Sequence, residues 1–597
     1  MRSKILWLGL HLLNIVGIAG FYIYNLNRDY PWVGQDFSHF IPRLIDTYLH
    51  LKLNGPGIQW YTPSFGGGLP AFANPHHLQY SLIPWLMFAL DPWQAFLTAV
   101  AIYTALGYAE AYLLQRDVLH FERPAATLGS IFWALTGFYL SHLLIGHVTF
   151  LTFPLFPLFL YLILTRQLPT LPAVIVFALL AASVVHAGGF YIAVIFAFSG
   201  AMTLPLIALM RPQAVDLPRA VRVLAGGLFV ALLLTANKIY AAQSFMRFFP
   251  REMPVVYDAN PLQKVTGIFF QLIGTTLIIP QRLLFGRDPN AIGDYLAART
   301  GISSSLWELD TAVSGAAVLI VLAGLIGHAW RWRKSPPTVT KHTLTALALF
   351  VLAALALIQY IIAEGPIFSL LKSLPVIRSM HVNIRNSAAF IFPIALGAAF
   401  YLDRFFRQAR LKWLVFATLN VVALGSLLPY LTISPDLHLR FVEIKPLREV
   451  YWQIRAGETF PVQKIGEDLD IEAIDRNASS LFIYEPVFGY EREAFHPLVV
   501  PGSIYRQDGD YLNMTNPASL VFPEENGLTL FERFKVTERD KLTQFANRHQ
   551  PDFAMPLTQH LLNILAMATL AGALIALAGF ALSGSFTSHK TKGRSEK

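Results

Sequence analysis

The chain has no cysteine among its 597 residues. Disulfide frameworks, thiolate nucleophiles and cysteine-bound metals are thereby excluded. Charge is also scarce: Asp, Glu, Lys and Arg together make up 14% of the sequence, against roughly 25% in a soluble domain. There is no phosphate-loop motif, no dinucleotide fingerprint and no His-Glu-x-x-His zinc pair. The run Gly66-Gly-Gly68 does not stand between a strand and a helix, so it reads as a turn. The net charge of +9 does not point to nucleic acid, because the basic residues gather at helix ends.

What the chain does have is apolar length. Hydrophobic residues are 54% of the sequence, and many runs reach the ~20 residues that cross a bilayer as a helix. The pattern predicts an all-α polytopic membrane protein with about a dozen spans. These lie at 5–24, 93–115, 125–145, 148–165, 170–187, 190–210, 220–238, 311–330, 343–363, 387–404, 412–431 and 558–583. No small-residue cleavage site follows the first run, so it reads as a retained helix. One set of loops carries the cations, among them Arg116, Arg166, Arg219, Arg333, Arg407 and the basic tail 584–597. The positive-inside rule then puts both termini in the cytoplasm.

The long loops 25–92, 239–310, 364–386 and 433–557 fall on the outer side. Six prolines in the first of these, from Pro42 to Pro84, forbid one continuous helix there. Apolar positions across 37–53 predict an amphipathic helix lying on the membrane. Residues 264–286 read as a second interfacial or re-entrant helix. The segment 433–557 reads as a small α/β extracytoplasmic domain, with a strand at Leu481-Phe-Ile-Tyr484 and a turn at Arg506-Gln-Asp-Gly-Asp510. Asn477-Ala-Ser479 and Asn513-Met-Thr515 match glycosylation sequons, a match that is usually accidental.

Few residues are left to carry chemistry. Asp36 stands first, in Trp32-Val-Gly-Gln-Asp-Phe-Ser-His-Phe-Ile-Pro-Arg43, just outside the first span and among His39 and Arg43. It is a candidate base, and it is equally placed to cap the helix from Phe37. Asp29 reads as a solvated loop residue. His76, His77 and Tyr80 form a second cluster; adjacent histidines do not share a helix face, so they do not make a metal site alone. His147, His186 and His381 also fall on the outer side, at positions where an ordinary interfacial histidine is the alternative. Lys238, Arg247, Arg251, Arg378 and Arg385 are outer cations that run against the topological bias. They are suited either to an anion or to pairing with Glu252, Glu308 or Asp310. Glu110 lies within a span, and reaches either for function or for Arg116.

Four stretches resemble one family in order and position. They are Gly34-Gln-Asp-Phe-Ser-His-Phe-Ile-Pro-Arg43, Tyr61 to Pro75 continuing into Gln79-Tyr-Ser-Leu-Ile-Pro84, Ser304-Ser-Leu-Trp-Glu-Leu-Asp310, and Ile377 to Ala389. The chain resembles the GT-C-fold integral membrane glycosyltransferases, most nearly the bacterial YfhO-like membrane proteins. The resemblance covers most of 1–432 and only weakly the outer segment. It implies transfer of a sugar from a polyprenyl-phosphate-linked donor to a glycan, lipid or protein acceptor on the outer face of the cytoplasmic membrane. It implies Asp36 as the acid of the first loop, acting as general base with inversion at the sugar carbon. Arg378, Arg385 and Lys238 would stabilise the departing phosphate, and His39, His76 and His77 would line the pocket, with Arg43, Tyr80 and Arg247 as further donor-binding residues. Members often carry two adjacent acids in that loop, where this chain has Gln35-Asp36, so a bridging divalent metal is open. A multi-span transporter and an oligosaccharide polymerase or ligase are the rival readings.

Overall fold

The computed structural model describes residues 2–249, 260–270, 306–311, 313–334, 340–378, 380, 382–432, 439–469, 474–483 and 497–583. The fold is mostly helical. Among the described residues, nine helices are long and apolar enough to cross a membrane. They are Lys4–Asn27, Pro92–Val118, Arg123–Ile145, Phe190–Met210, Leu217–Met246, Gly315–Lys334, Lys341–Ile362, Asn383–Gln408 and Leu557–Leu582. Three further expected spans appear as shorter apolar helices, Val148–Leu164, Thr170–His186 and Lys412–Gly425. The chain is a multi-pass membrane protein.

Local chemistry starts these helices. Asp91 precedes Pro92, and its carboxylate accepts from the Trp93 and Gln94 amides at 3.0 and 3.1 Å. Asp216, before Leu217-Pro218, accepts from the Arg219 amide. Both pair an N-terminal acceptor with a proline in the first turn, where a missing N–H costs nothing.

The expected span 125–145 is two helices, Arg123–Ala134 and Gly137–Ile145. The backbone leaves the helical region at Leu135 and Thr136. In a bilayer such a break must be satisfied by protein. Tyr22, on the first helix, does this: its hydroxyl donates to the Ala134 carbonyl at 2.8 Å and accepts from the Thr136 amide at 3.0 Å.

The Phe37–Asn54 helix corrects a second expectation. It does not lie exposed on a membrane surface: protein buries both its apolar residues and Asp46, Thr47 and His50. Asp46 accepts from Gln59 Nε2 at 2.7 Å, from Ser64 Oγ and from Arg548. Arg548 comes from the late segment before the last long helix, so this buried ion pair ties the first loop to it. Asp29 is likewise not merely solvated: it pairs with Arg440.

This late segment contributes short strands and helices. Lys464–Leu469 runs parallel to Ala478–Phe482, in register Lys464↔Ala478, and antiparallel to Gly502–Ser503. A second sheet orders Arg533–Lys535, Tyr511–Thr515 and Gln507–Asp508, with the expected turn at Gly509-Asp510 closing the register Asp508↔Tyr511. The first loop joins both sheets. Gly66 N donates to Ser480 O and Thr515 N donates to Gly67 O, while Trp32–Val33 pairs with Val442–Glu443. Asn513 is buried, and its amide is bonded to both backbone groups of Val500, which removes that sequon from the surface. Residues 261–270 are helical; the remainder of 264–286, Arg251, Glu252, His381, Ser304, Ser305 and the tail 584–597 lie outside the described residues.

Candidate functional site

Asp36 does not cap its helix through its side chain. Its Oδ2 lies 2.9 Å from His147 Nε2 instead. His147 Nδ1 in turn lies 2.8 Å from His142 Nδ1. His147 Nε2–H donates to Asp36, and one proton is shared between the facing Nδ1 atoms of His147 and His142. The result is a carboxylate–imidazole–imidazole chain. Asp36 and His147 side chains retain 16% and 10% exposure, and His142 is fully buried.

Backbone packing brings these residues together. The Asp36 amide donates to Ile145 O at 2.9 Å, so the first loop rests on the end of the Gly137–Ile145 helix. Two glycines permit the approach. A Cβ on Gly34 would stand 2.2 Å from Leu144 O, and one on Gly146 would stand 2.6 Å from Phe37 N. Gly146 also adopts the left-handed conformation that ends the helix, φ 105°. His142 and His147 thus flank a tight turn, and their rings stack with Phe150 at centroid distances of 4.4 and 5.3 Å.

Arg385 stands behind this chain, its guanidinium 5.6 Å from the Phe150 ring and 5.0 Å from the Tyr191 ring. It is bidentate to Glu308, with Nε at 2.6 Å from Oε2, and is close enough to Asp36 to feel its charge. Asp310, two residues after Glu308, accepts from Ser141 Oγ and Tyr430 Oη, each at 2.7 Å. Ser141 is the residue before His142. Three of the four stretches quoted above therefore meet at one place: Asp36, Glu308 with Asp310, and Arg385.

The other candidates are distributed differently. His39 and Arg43 follow Asp36 one and two turns along the same helix face. His39 is buried against Phe40, and Arg43 lies 4.4 Å over the Phe65 ring. His76 sits edge-on to His39 with centroids 6.4 Å apart. His77 is buried. Desolvation, reinforced by the Lys238 charge, holds its pKa well below the ordinary histidine value, so it is a neutral imidazole. Tyr80 packs edge-on to His186, and burial pushes its phenol up to about 12.

Lys238 is a correction. It is buried, and its Nζ donates to the Phe72 and Asn74 carbonyls at 2.5 and 2.7 Å. It fastens the first loop to the Leu217–Met246 helix rather than meeting an anion. Arg247 lies 3.5 Å from Glu524, an exposed pair of small energetic weight. Arg385 takes the pairing alternative, with Glu308. Glu110 is buried, and Arg116 donates to Phe121 O instead of to it. Arg378 is exposed at the end of the short helix Pro375–Arg378.

Among the described residues, no group of three or more His, Asp or Glu side chains converges on a point where a metal could sit. The donors at Asp36 are one carboxylate and imidazoles already hydrogen-bonded to each other, which does not fit a two-acid metal bridge.

No protein-family model matches this chain, and no curated protein or solved structure matches it significantly. The site must be read from its own chemistry. His142 is the residue that sequence reasoning missed. The available signal was its five-residue spacing from His147 across Gly146.

Proposed function

We propose that this protein is a membrane glycosyltransferase that moves a sugar from a polyprenyl-phosphate-linked donor to an acceptor hydroxyl at the outer membrane face. The observation that carries the reading is the Asp36–His147–His142 chain. It supplies a partly exposed carboxylate, oriented by one imidazole that is itself oriented by another, at the edge of a multi-pass bundle. This is the geometry of a positioned general base. Further support is the meeting of three motif-bearing stretches at that point, in the order in which the family carries them.

In this reading Asp36 takes the proton from the acceptor hydroxyl, and the acceptor oxygen forms a bond to the anomeric carbon. The bond from that carbon to the phosphate oxygen breaks, and its electron pair leaves with the lipid phosphate. Attack opposite the leaving group inverts the sugar carbon. His147 holds the carboxylate and His142 holds the His147 ring. Exposed Arg378 is the cation we assign to the leaving phosphate. No step requires a metal.

The test is transfer of radiolabelled sugar from polyprenyl-phosphate donors in membranes. Asp36→Asn should lower the rate by about 10²-fold or more, and His147→Gln by less. Equal transfer by wild type and Asp36→Asn would remove Asp36 as base and favour a polymerase or ligase that works through histidine and arginine. Absence of transfer with every donor would return the transporter reading.

A further inference from the structure

At the end of the bundle where cations collect, the helices Gly315–Lys334, Ile391–Gln408 and Lys412–Gly425 line an open groove of about 450 Å³. Ile320, Phe405, Val415 and Leu419 form its apolar wall, and Arg331 and Arg404 stand among its lining. Two glycines shape it. The Tyr401 ring lies across Gly324, where a Cβ would come within 2.3 Å of ring carbons. One turn on, nothing lies within 4 Å of the corresponding position at Gly327. One glycine thus admits a side chain of the protein and the other leaves space.

The two arginines differ from their neighbours. Arg211 and Arg407 both engage the buried carboxylate of Asp403. Arg331 donates to the carbonyl of its own helix at Gly327, and Arg404 stacks 4.4 Å over Phe400. Among the described residues neither is within ion-pair distance of a carboxylate, and Arg404 feels the Arg331 charge more strongly than that of Asp403. Two repelling cations beside an apolar groove call for an anion attached to hydrocarbon. The same helix carries exposed Leu319, Leu325 and Ile326 on its other faces, at 56%, 53% and 68%.

We propose that this groove binds one anionic phospholipid, its phosphate between Arg331 and Arg404 and an acyl chain along Ile320, Val415 and Leu419. Basic pockets between membrane helices hold such headgroups through charge and bidentate hydrogen bonding. The apolar wall selects a lipid over a free phosphate. The proposal is independent of the chemistry at Asp36.

The experiment uses the purified full-length protein in neutral detergent and follows its thermal midpoint with added phosphatidylglycerol, phosphatidylcholine or inorganic phosphate. Phosphatidylglycerol should raise the midpoint of the wild type, whereas phosphatidylcholine and phosphate should not. In Arg331→Gln/Arg404→Gln the concentration needed for that shift should rise about tenfold. Gly327→Leu starts from a Cβ position with nothing within 4 Å and extends into the groove, and should abolish the shift while leaving the lipid-free midpoint near that of wild type. Equal stabilisation by phosphatidylcholine overturns the proposal, as does stabilisation by inorganic phosphate alone or a shift retained in both variants. Native mass spectrometry of the wild type decides independently of the variants: no retained phosphatidylglycerol also overturns it.

Discussion

The helices Arg123–Ile145 and Leu557–Leu582 are both long and apolar enough to cross a membrane, with mean hydropathies of 1.5 and 2.2. The apolar window of the first is 100% buried by protein, and that of the second 11%. The first is broken at Leu135 and Thr136, ends at Gly146 and presents Ser141 and His142; the second is continuous. In a bilayer a free backbone group or a polar side chain is tolerable only where protein supplies a partner. The wrapped helix can be interrupted and can carry chemistry. The outward-facing one is held to an unbroken apolar rod, because hydrocarbon offers its backbone no partner.

That contrast is open to test by substitution. The largest effect should follow Gly34→Ala, which places a methyl 2.2 Å from Leu144 O and forces the first loop off the wrapped helix. Overpacking of this kind costs about 3 kcal/mol at its upper range. A lowered thermal midpoint should accompany lost transfer activity, since Asp36 and His147 separate. Tyr22→Phe should be next. It removes the hydroxyl that serves Ala134 O and Thr136 N, at about 1–3 kcal/mol for buried groups left unmatched. Denaturant unfolding in detergent measures it, and a loss within experimental error would mean that the break is satisfied by other means. Leu574→Ala, on an exposed stretch of the last helix, should change stability by no more than about 0.5 kcal/mol. A cost equal to that of Tyr22→Phe would erase the distinction between the two helices.

The sequence made the spans legible, because hydropathy needs only composition and length. It did not make the break at Leu135-Thr136 legible, since no proline marks it and Tyr22, its partner, lies on another helix. Asp36 was visible as an acid beside a membrane boundary. Its partner was visible only in part: His147 stood out at a helix end, whereas His142 was hidden within an apolar run. The Phe37–Asn54 helix was found, but its surroundings were misread. An amphipathic pattern does not distinguish water from a polar protein surface, so nothing in it marks Asp46 as buried. Lys238 looked available to an anion because nothing in the local sequence shows that the Phe72 and Asn74 carbonyls reach it.

Asp46 and Arg548 stand 502 positions apart in the chain. A ribosome adding about 5–20 residues per second leaves the carboxylate without its cation for roughly 25–100 s. Throughout that interval Asp46 must stay hydrated, so the Phe37–Asn54 helix cannot settle finally into its buried berth. The loop that presents Asp36 is therefore among the earliest parts of the protein to be made and among the last to be finished. Each new molecule should complete the surroundings of Asp36 only when nearly the whole chain is present.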